Sequence, residues 1–181
     1  MAVKNFWTFN AGEAIFADKL HKRFKNKIEL YFPLKDTGID LLAVVKNSKR
    51  FVTFQIKESR YYEEENSSWH QETRKNFEKN KNRVDFYIFV IYLPGCLANT
   101  EKKDKFIIHY VIIPTGELLK RIEFKKINKN GTYDFYFRFK DNKQLNEVRE
   151  RKSVRNFKGW PFDYAKYLNA WNLIAEKFAG L

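Results

Sequence analysis

Two apolar runs of strand length, at positions 85–93 (DFYIFVIYL) and 106–113 (FIIHYVII), constrain the fold of this chain more than any other feature. A membrane-spanning helix needs about 20 consecutive apolar residues, and both runs are far shorter. They therefore predict strands of an internal sheet. With 181 residues, of which 44% are apolar, the chain is long enough to bury its own core, which predicts a single domain over residues 1–181.

Hydrophobic periodicity and turn signals predict the other elements. Asn10 is a good cap for a first helix. Ser68 and Gln71 form the capping-box pattern of a second helix. Asn130-Gly131 is a strong signal for a hairpin turn. Along the chain, the prediction is a helix at 11–25, strands at 27–32, 39–45 and 51–58, a helix at 68–81, strands at 84–93 and 106–113, a short helix at 115–121, a hairpin of 122–127 with 133–139, and a last helix at 162–178. This order predicts the α/β class, a mixed central sheet flanked by helices.

The charge of the chain points to a polyanionic partner. Lys and Arg together number 35 against 22 Asp and Glu, which gives a formal net charge of +13. Nucleic acid is the commonest partner of such a protein, and an AT-rich genome or an anionic membrane surface are alternative reasons for the lysines. Two basic segments, at 74–83 and 149–158, are flanked by Trp69 and Trp160, which can stack on bases or pack internally. We expect a nucleic-acid partner and no membrane partner.

Cysteine usage and the first residues indicate a reducing compartment. Cys96 is the only cysteine of the sequence, which excludes an internal disulfide and a cysteine-based zinc cluster. The first 16 residues show neither a continuous apolar core nor a small-residue cleavage site. We therefore expect no signal peptide and a cytoplasmic location.

The segment 38–59 (GIDLLAVVKNSKRFVTFQIKES) predicts a hairpin with a polar cluster on one face. A turn centred on 47–48 pairs residues whose numbers sum to 95, which places Asp40 opposite Gln55. Strand side chains alternate between faces, so Gln55 and Lys57 share a face, and Asp40 joins them.

Glu13 is expected to add a carboxylate to this cluster. It continues the apolar stripe of the first helix, so it should point toward the element on which that helix packs. The oxygens of Glu13, Asp40 and Gln55 are hard ligands that suit Mg²⁺ or Mn²⁺, and such a site suits phosphodiester hydrolysis. Lys57 can orient a water molecule or offset developing charge, whereas Glu58 should point away from the site.

In these motifs the sequence resembles the PD-(D/E)XK nuclease superfamily, the fold of many restriction enzymes and Holliday-junction resolvases. The matching features are GE ending at Glu13, GID ending at Asp40 and QIK ending at Lys57. The resemblance implies a restriction endonuclease-like core in αβββαβ order, with an added β-hairpin and a C-terminal helix. It also implies metal-site roles for the acids and for Gln55, and a water-orienting role for the lysine. Ile39 stands where the family often has Pro, and Gln55 replaces the acid of (D/E)xK.

The histidines are weaker candidates for site residues. His21, His70 and His109 lie far apart in the sequence and lack the spacing of metal ligands. His70 and Gln71 open the helix predicted after the QIK strand, so they can face the site. We expect His109 to lie in the core.

The leading hypothesis is a metal-dependent endonuclease that hydrolyses phosphodiester bonds in DNA rather than RNA. A second hypothesis is a nucleic-acid-binding module on the same fold that Gln55 leaves without catalysis. A third is a protein-interaction partner in a defence or toxin system. The resemblance also allows a homodimer, because cutting two strands takes two active sites.

Overall fold

A long central strand organises the structure. The computed structural model describes residues 10–34, 38–63, 67–97, 105–140, 144–148 and 162–180. Within these ranges it shows an eight-stranded sheet and four α-helices. The strands are β1 (Ile28–Tyr31), β2 (Leu41–Val45), β3 (Phe51–Tyr62), β4 (Ser67–Thr73), β5 (Phe86–Pro94), β6 (Phe106–Pro114), β7 (Thr132–Phe139) and β8 (Leu145–Glu147). The helices are α1 (Ala11–Phe24), α2 (Arg74–Asn80), α3 (Thr115–Ile122) and α4 (Trp171–Gly180).

Strand β3 belongs to two parts of the sheet. Its first residues pair antiparallel with β2, and the stretch from Phe54 to Arg60 pairs in parallel with β5. Its last two residues, Tyr61 and Tyr62, pair antiparallel with β4. One path through the sheet therefore runs β1-β2-β3-β5-β6 and the other runs β3-β4-β7-β8. The predicted α/β class, with a mixed sheet and flanking helices, is confirmed.

Aromatic side chains form a core on each face of the sheet. On one face, Phe16 of α1 is fully buried and stacks on Trp171 of α4, with ring centroids 5.6 Å apart. The same ring meets Phe54 of β3 edge-on at 5.4 Å. On the other face, Phe89 of β5 packs against Phe137 of β7 at 5.1 Å. Each such ring buries about 150–250 Å², so these contacts hold the helices and β7 against the central strands.

The prediction of a helix from about Ser68 is wrong, because this part of the chain is strand β4. Ser68 pairs with Phe137 of β7, and the antiparallel ladder continues to Thr73. Helix α2 begins at Arg74, where the Thr73 side chain caps it by accepting from the Asn76 N–H at 3.1 Å. The inward positions of β4 are buried but polar, so no apolar alternation marks the strand in the sequence.

The hairpin predicted around Asn130-Gly131 is wrong in its first strand. The segment 122–127 is the end of α3 followed by irregular chain. In it, Lys125 is buried and pairs with Glu147 of β8, with 2.9 Å between Nζ and Oε1. The turn itself is present, with Gly131 at a φ of 72°. The strand that follows pairs with β4 and β8, so the added antiparallel pair consists of β7 and β8.

The last helix begins later than the predicted range 162–178. Helix α4 starts at Trp171, and only a short 3₁₀ turn, Ala165–Tyr167, precedes it. Asn169 has a φ of 52°, and its N–H donates to the Tyr110 carbonyl of β6 at 2.6 Å. This anchoring to the sheet interrupts the helical path that the apolar stripe predicts.

Some predicted features fall outside the described residues. These are Trp160 and the basic segment at 149–158. None of the helices in the described ranges is long and apolar enough to cross a membrane.

Candidate functional site

A cleft of about 750 Å³ lies at a gap in the sheet. Strand β2 pairs with β3 as far as Phe54, and β4 pairs with β3 from Tyr61. In the described ranges no strand occupies the edge of β3 between them. Backbone groups on such an edge need other partners, and the Ile56 N–H donates to the Asp40 carboxylate at 2.7 Å. The unpaired edge therefore favours polar side chains, which can bond to its backbone groups.

The predicted register of the β2–β3 hairpin is confirmed. Leu41 pairs with Phe54, two residue numbers that sum to 95. Asp40 continues the register, and its N–H donates to the Phe54 carbonyl at 2.9 Å. Oδ2 of Asp40 accepts a hydrogen bond from Nε2 of Gln55, and the two side chains are 5% and 6% exposed. Because Nε2 of Gln55 donates to Asp40, the side-chain oxygen Oε1 is the atom of Gln55 that could bind a cation.

Lys57 has a buried partner that the sequence did not indicate. Its Nζ lies 3.1 Å from Oε2 of Glu72 on β4, and the lysine and glutamate side chains are 27% and 3% exposed. The other carboxylate oxygen, Oε1, accepts from the Thr73 N–H at 2.9 Å. Both residues line the cleft. Glu72 was missed because this segment was predicted as a helix, and a strand prediction would have placed Glu72 two residues from His70 on one face.

Two carboxylates lie at the start of helix α1, one from the helix itself and one from β3. Glu13, in its first turn, is 2% exposed and lines the cleft with Asp40. Glu58 accepts at Oε2 from the Gly12 N–H at 2.6 Å and from the Tyr92 hydroxyl at 2.7 Å. Glu58 leaves the face of β3 opposite to that of Lys57, as predicted, but it also lines the cleft, which the sequence did not indicate. An unpaired N–H at the start of a helix favours such a carboxylate.

Two neutral groups back the cleft. His70 lines it and is 2% exposed, and its ring packs edge-on against Phe89 and Phe137. Burial, and then the charge of Lys57, lower the pKa of His70 to about 3. Burial, and then the charge of Glu72, raise the pKa of the buried Tyr87 hydroxyl. Both groups stay uncharged near neutral pH, so the charges in the cleft are those of its carboxylates, its lysines and Arg60.

The other predicted residues divide between the cleft and the rest of the molecule. Gln71 lines the cleft, as the sequence allowed. On α2, Lys79 lines the cleft, whereas Lys81 pairs with Glu78 at 2.7 Å. His109 lies on β6, away from the cleft, and burial lowers its pKa. The structure thus brings one histidine and one cation of α2 to the site.

The donor set of the cleft fits a hard divalent cation. Glu13 and Asp40 offer carboxylate oxygens and Gln55 an amide oxygen, the ligand types that Mg²⁺ prefers. In the described ranges no three His, Cys, Asp or Glu side chains are grouped as a metal site. Glu13, Asp40 and Gln55 are the residues of the cleft that could hold such a cation.

Comparison with known proteins places the fold. No family model matches the chain, and no curated protein matches it. Among solved structures, a bacterial homing endonuclease is similar with a TM-score of 0.50 and 18% identity, over 93% of this chain and 91% of that chain. A nuclease from a fusselovirus matches with a TM-score of 0.40 and 17% identity, over 68% of this chain and 74% of that chain. The first of these likenesses supports the mixed α/β fold.

Proposed function

We propose that the protein is a nuclease that hydrolyses phosphodiester bonds in DNA with the help of Mg²⁺ or Mn²⁺. The supporting observation is that one cleft collects the four predicted site residues, which are two carboxylates, an amide and a lysine. These residues are Glu13, Asp40, Gln55 and Lys57. One solved structure of similar fold is that of a homing endonuclease, which favours a nuclease among the functions that an α/β domain can have.

Each polar residue of the cleft has a distinct role in this proposal. Glu13, Asp40 and Gln55 would hold the cation, which supplies Lewis-acid polarisation of the phosphoryl group when bound. Lys57 would donate a hydrogen bond to the attacking water or to a phosphoryl oxygen, and its charge would stabilise the transition state. Glu72 is a positioning residue, because its ion pair directs the lysine toward the cleft.

Lys57→Ala tests the proposal. Loss of one preorganised donor to a developing charge costs about 10²–10³-fold in rate, so cleavage should fall at least 100-fold. DNA binding in EDTA should persist, because many other basic residues remain on the surface. The assay presents supercoiled plasmid, branched DNA, single-stranded DNA and RNA to both proteins in Mg²⁺, Mn²⁺ or EDTA.

The matched control is Lys120→Ala. Lys120 also pairs with a glutamate, Glu117, at 2.7 Å, but it lies on α3 and does not line the cleft. Cleavage by this variant should equal that of the unaltered protein. Equal cleavage by the Lys57 variant would refute the assignment.

A second function, binding without catalysis, is favoured by one observation. Gln55, which lies beside Asp40 in the cleft, carries no charge. The same assay separates the two functions. DNA retention in EDTA with no cleavage in either cation would establish the binding module and exclude the nuclease.

A further inference from the structure

A group of aromatic and arginine side chains borders the cleft on the outer face of β3 and β4. We call it the aromatic platform, and it consists of Arg60, Tyr62, Trp69 and Tyr136. Trp69 is 42% exposed although it lies in the middle of β4. It pairs across the sheet with Tyr136 of β7, and the two rings are stacked, with planes at 9° and centroids 6.2 Å apart.

A network of hydrogen bonds fixes the exposed indole. Nε1 of Trp69 donates to Oδ1 of Asp134 at 3.1 Å, and Asp134 is 6% exposed. The same carboxylate accepts from Nε2 of Gln71 at 2.6 Å and from Nδ2 of Asn128 at 2.7 Å. An indole held in this way loses little conformational entropy when a ligand stacks on it.

The platform carries positive charge beside its rings. The guanidinium of Arg60 lies over the Tyr62 ring, 4.8 Å from its centroid. Tyr62 pairs with Ser67 in the β3–β4 ladder, so alternation puts Arg60 and Tyr62 on the face of Trp69. All three side chains line the cleft that holds Lys57. A ligand on the platform would therefore be continuous with a ligand in the cleft.

We propose that the aromatic platform stacks an unpaired nucleobase of the nucleic acid that occupies the cleft. Aromatic rings flanked by arginines bind single strands, because every base has a face that can stack and every linkage carries a charge. In a duplex the base faces are covered by neighbouring bases, so a platform of this kind selects single-stranded, overhanging or flipped nucleotides. The inference rests on the proposed function only in that the cleft binds nucleic acid.

The test measures binding in EDTA, so that cleavage does not enter. Labelled single-stranded oligo(dT), oligo(U) of the same length, a blunt duplex and a duplex with a 3′ overhang are titrated by fluorescence anisotropy. Loss of one base–aromatic stack corresponds to about 5- to 150-fold in affinity. Trp69→Leu, which keeps an apolar side chain but removes the ring, should weaken oligo(dT) and overhang binding by this factor. Binding to the blunt duplex should change less than twofold.

Two further variants separate stacking from folding. Trp69→Phe restores a ring and should recover most of the lost affinity for oligo(dT). Phe106→Leu removes an aromatic ring that is 62% exposed on β6 and does not line the cleft, and it should leave all four affinities unchanged. Equal losses for single strands and for the blunt duplex, or no loss at all in Trp69→Leu, would overturn the proposal.

The experiment also distinguishes this inference from the nuclease. Trp69-dependent binding of single strands by a protein that cuts nothing would support the platform and refute the nuclease. If Lys57→Ala abolishes cleavage while Trp69→Leu leaves single-strand binding unchanged, the result would support the nuclease and refute the platform. A common loss with oligo(dT) and oligo(U) identifies the base face as the ligand, because the two strands differ in both the sugar and the thymine methyl group.

Discussion

At the scale of single residues, the pair of Lys57 and Glu72 distinguishes the cleft from an ordinary polar surface. An exposed ion pair contributes at most about 1 kcal/mol to stability. The Glu72 side chain is only 3% exposed, and a buried carboxylate needs its cationic partner, so the pair holds the Lys57 ammonium group in place. The sequence identified Lys57 but not Glu72. The reason is that the lysine belongs to a local hairpin, while the glutamate reaches it through a strand whose partner β7 is distant in sequence.

Glu72→Gln is expected to lower kcat about 10- to 100-fold and to leave KM nearly unchanged, because misplacement of a catalytic group mainly affects the transition state. A purely structural role would lower kcat only through the fraction of folded protein, so kcat is calculated per folded molecule, with that fraction measured by circular dichroism. Steady-state kinetics on the preferred substrate make the measurement. Glu117→Gln, which breaks an ion pair outside the cleft, serves as the control and should leave both constants unchanged. An unaltered kcat in Glu72→Gln would remove the residue from the mechanism.

At the scale of elements, local contacts were predictable and distant ones were not. Helix α1 and the β2–β3 register follow from periodicity and from one turn, and with them the positions of Glu13, Asp40 and Gln55. Strand β4 was missed because polar residues fill its inward positions and its ladder partners on β7 lie 59 to 69 residues away along the chain. Pairing at that distance leaves no local pattern in the sequence. The side of the cleft that β4 forms, including Glu72, could therefore not be predicted.

The entry into β2 provides a test at this scale. Gly38 has a φ of 84°, and a Cβ at this position would overlap the side chain of Asn80 at the end of α2. Gly38→Ala should lower the free energy of unfolding by about 1–3 kcal/mol, because it combines an unfavourable backbone region with a clash. Urea unfolding makes the measurement. At Gly116 a Cβ would meet nothing within 4 Å, so Gly116→Ala should be neutral or stabilising. Equal stability of the Gly38 and Gly116 variants would contradict this account.

At the scale of the whole molecule, the excess positive charge matches the nucleic-acid partner that we propose. The formal net charge is +13, and within the described chain Lys57, Lys79 and Arg60 line the cleft. Charge alone could not locate the binding surface, because lysines are spread along the sequence. The fold supplies the location by gathering some of them at the gap beside β3.

Duplex binding should depend steeply on salt. Contacts with about five phosphates give a slope of roughly −4 to −5 in a plot of log affinity against log salt. The measurement is a series of anisotropy titrations in EDTA at about 50 to 200 mM salt, a range in which counterion release changes the affinity strongly. Lys79→Ala should reduce the magnitude of the slope by about 1, and Lys120→Ala should leave it unchanged. A slope near zero would contradict phosphate contacts.

The shared strand also decides how the cleft can respond to what enters it. Behind the gap, β3 is bonded to β5 without interruption from Phe54 to Arg60, and β5 is bonded in turn to β6. The back of the cleft is therefore a continuously hydrogen-bonded sheet, which we expect to change little on binding. A cleft built in this way should keep its shape and should not close around its ligand. We therefore expect the nucleic acid that we propose as the ligand to adjust its shape on binding, so that a strand that bends or unstacks easily should bind best.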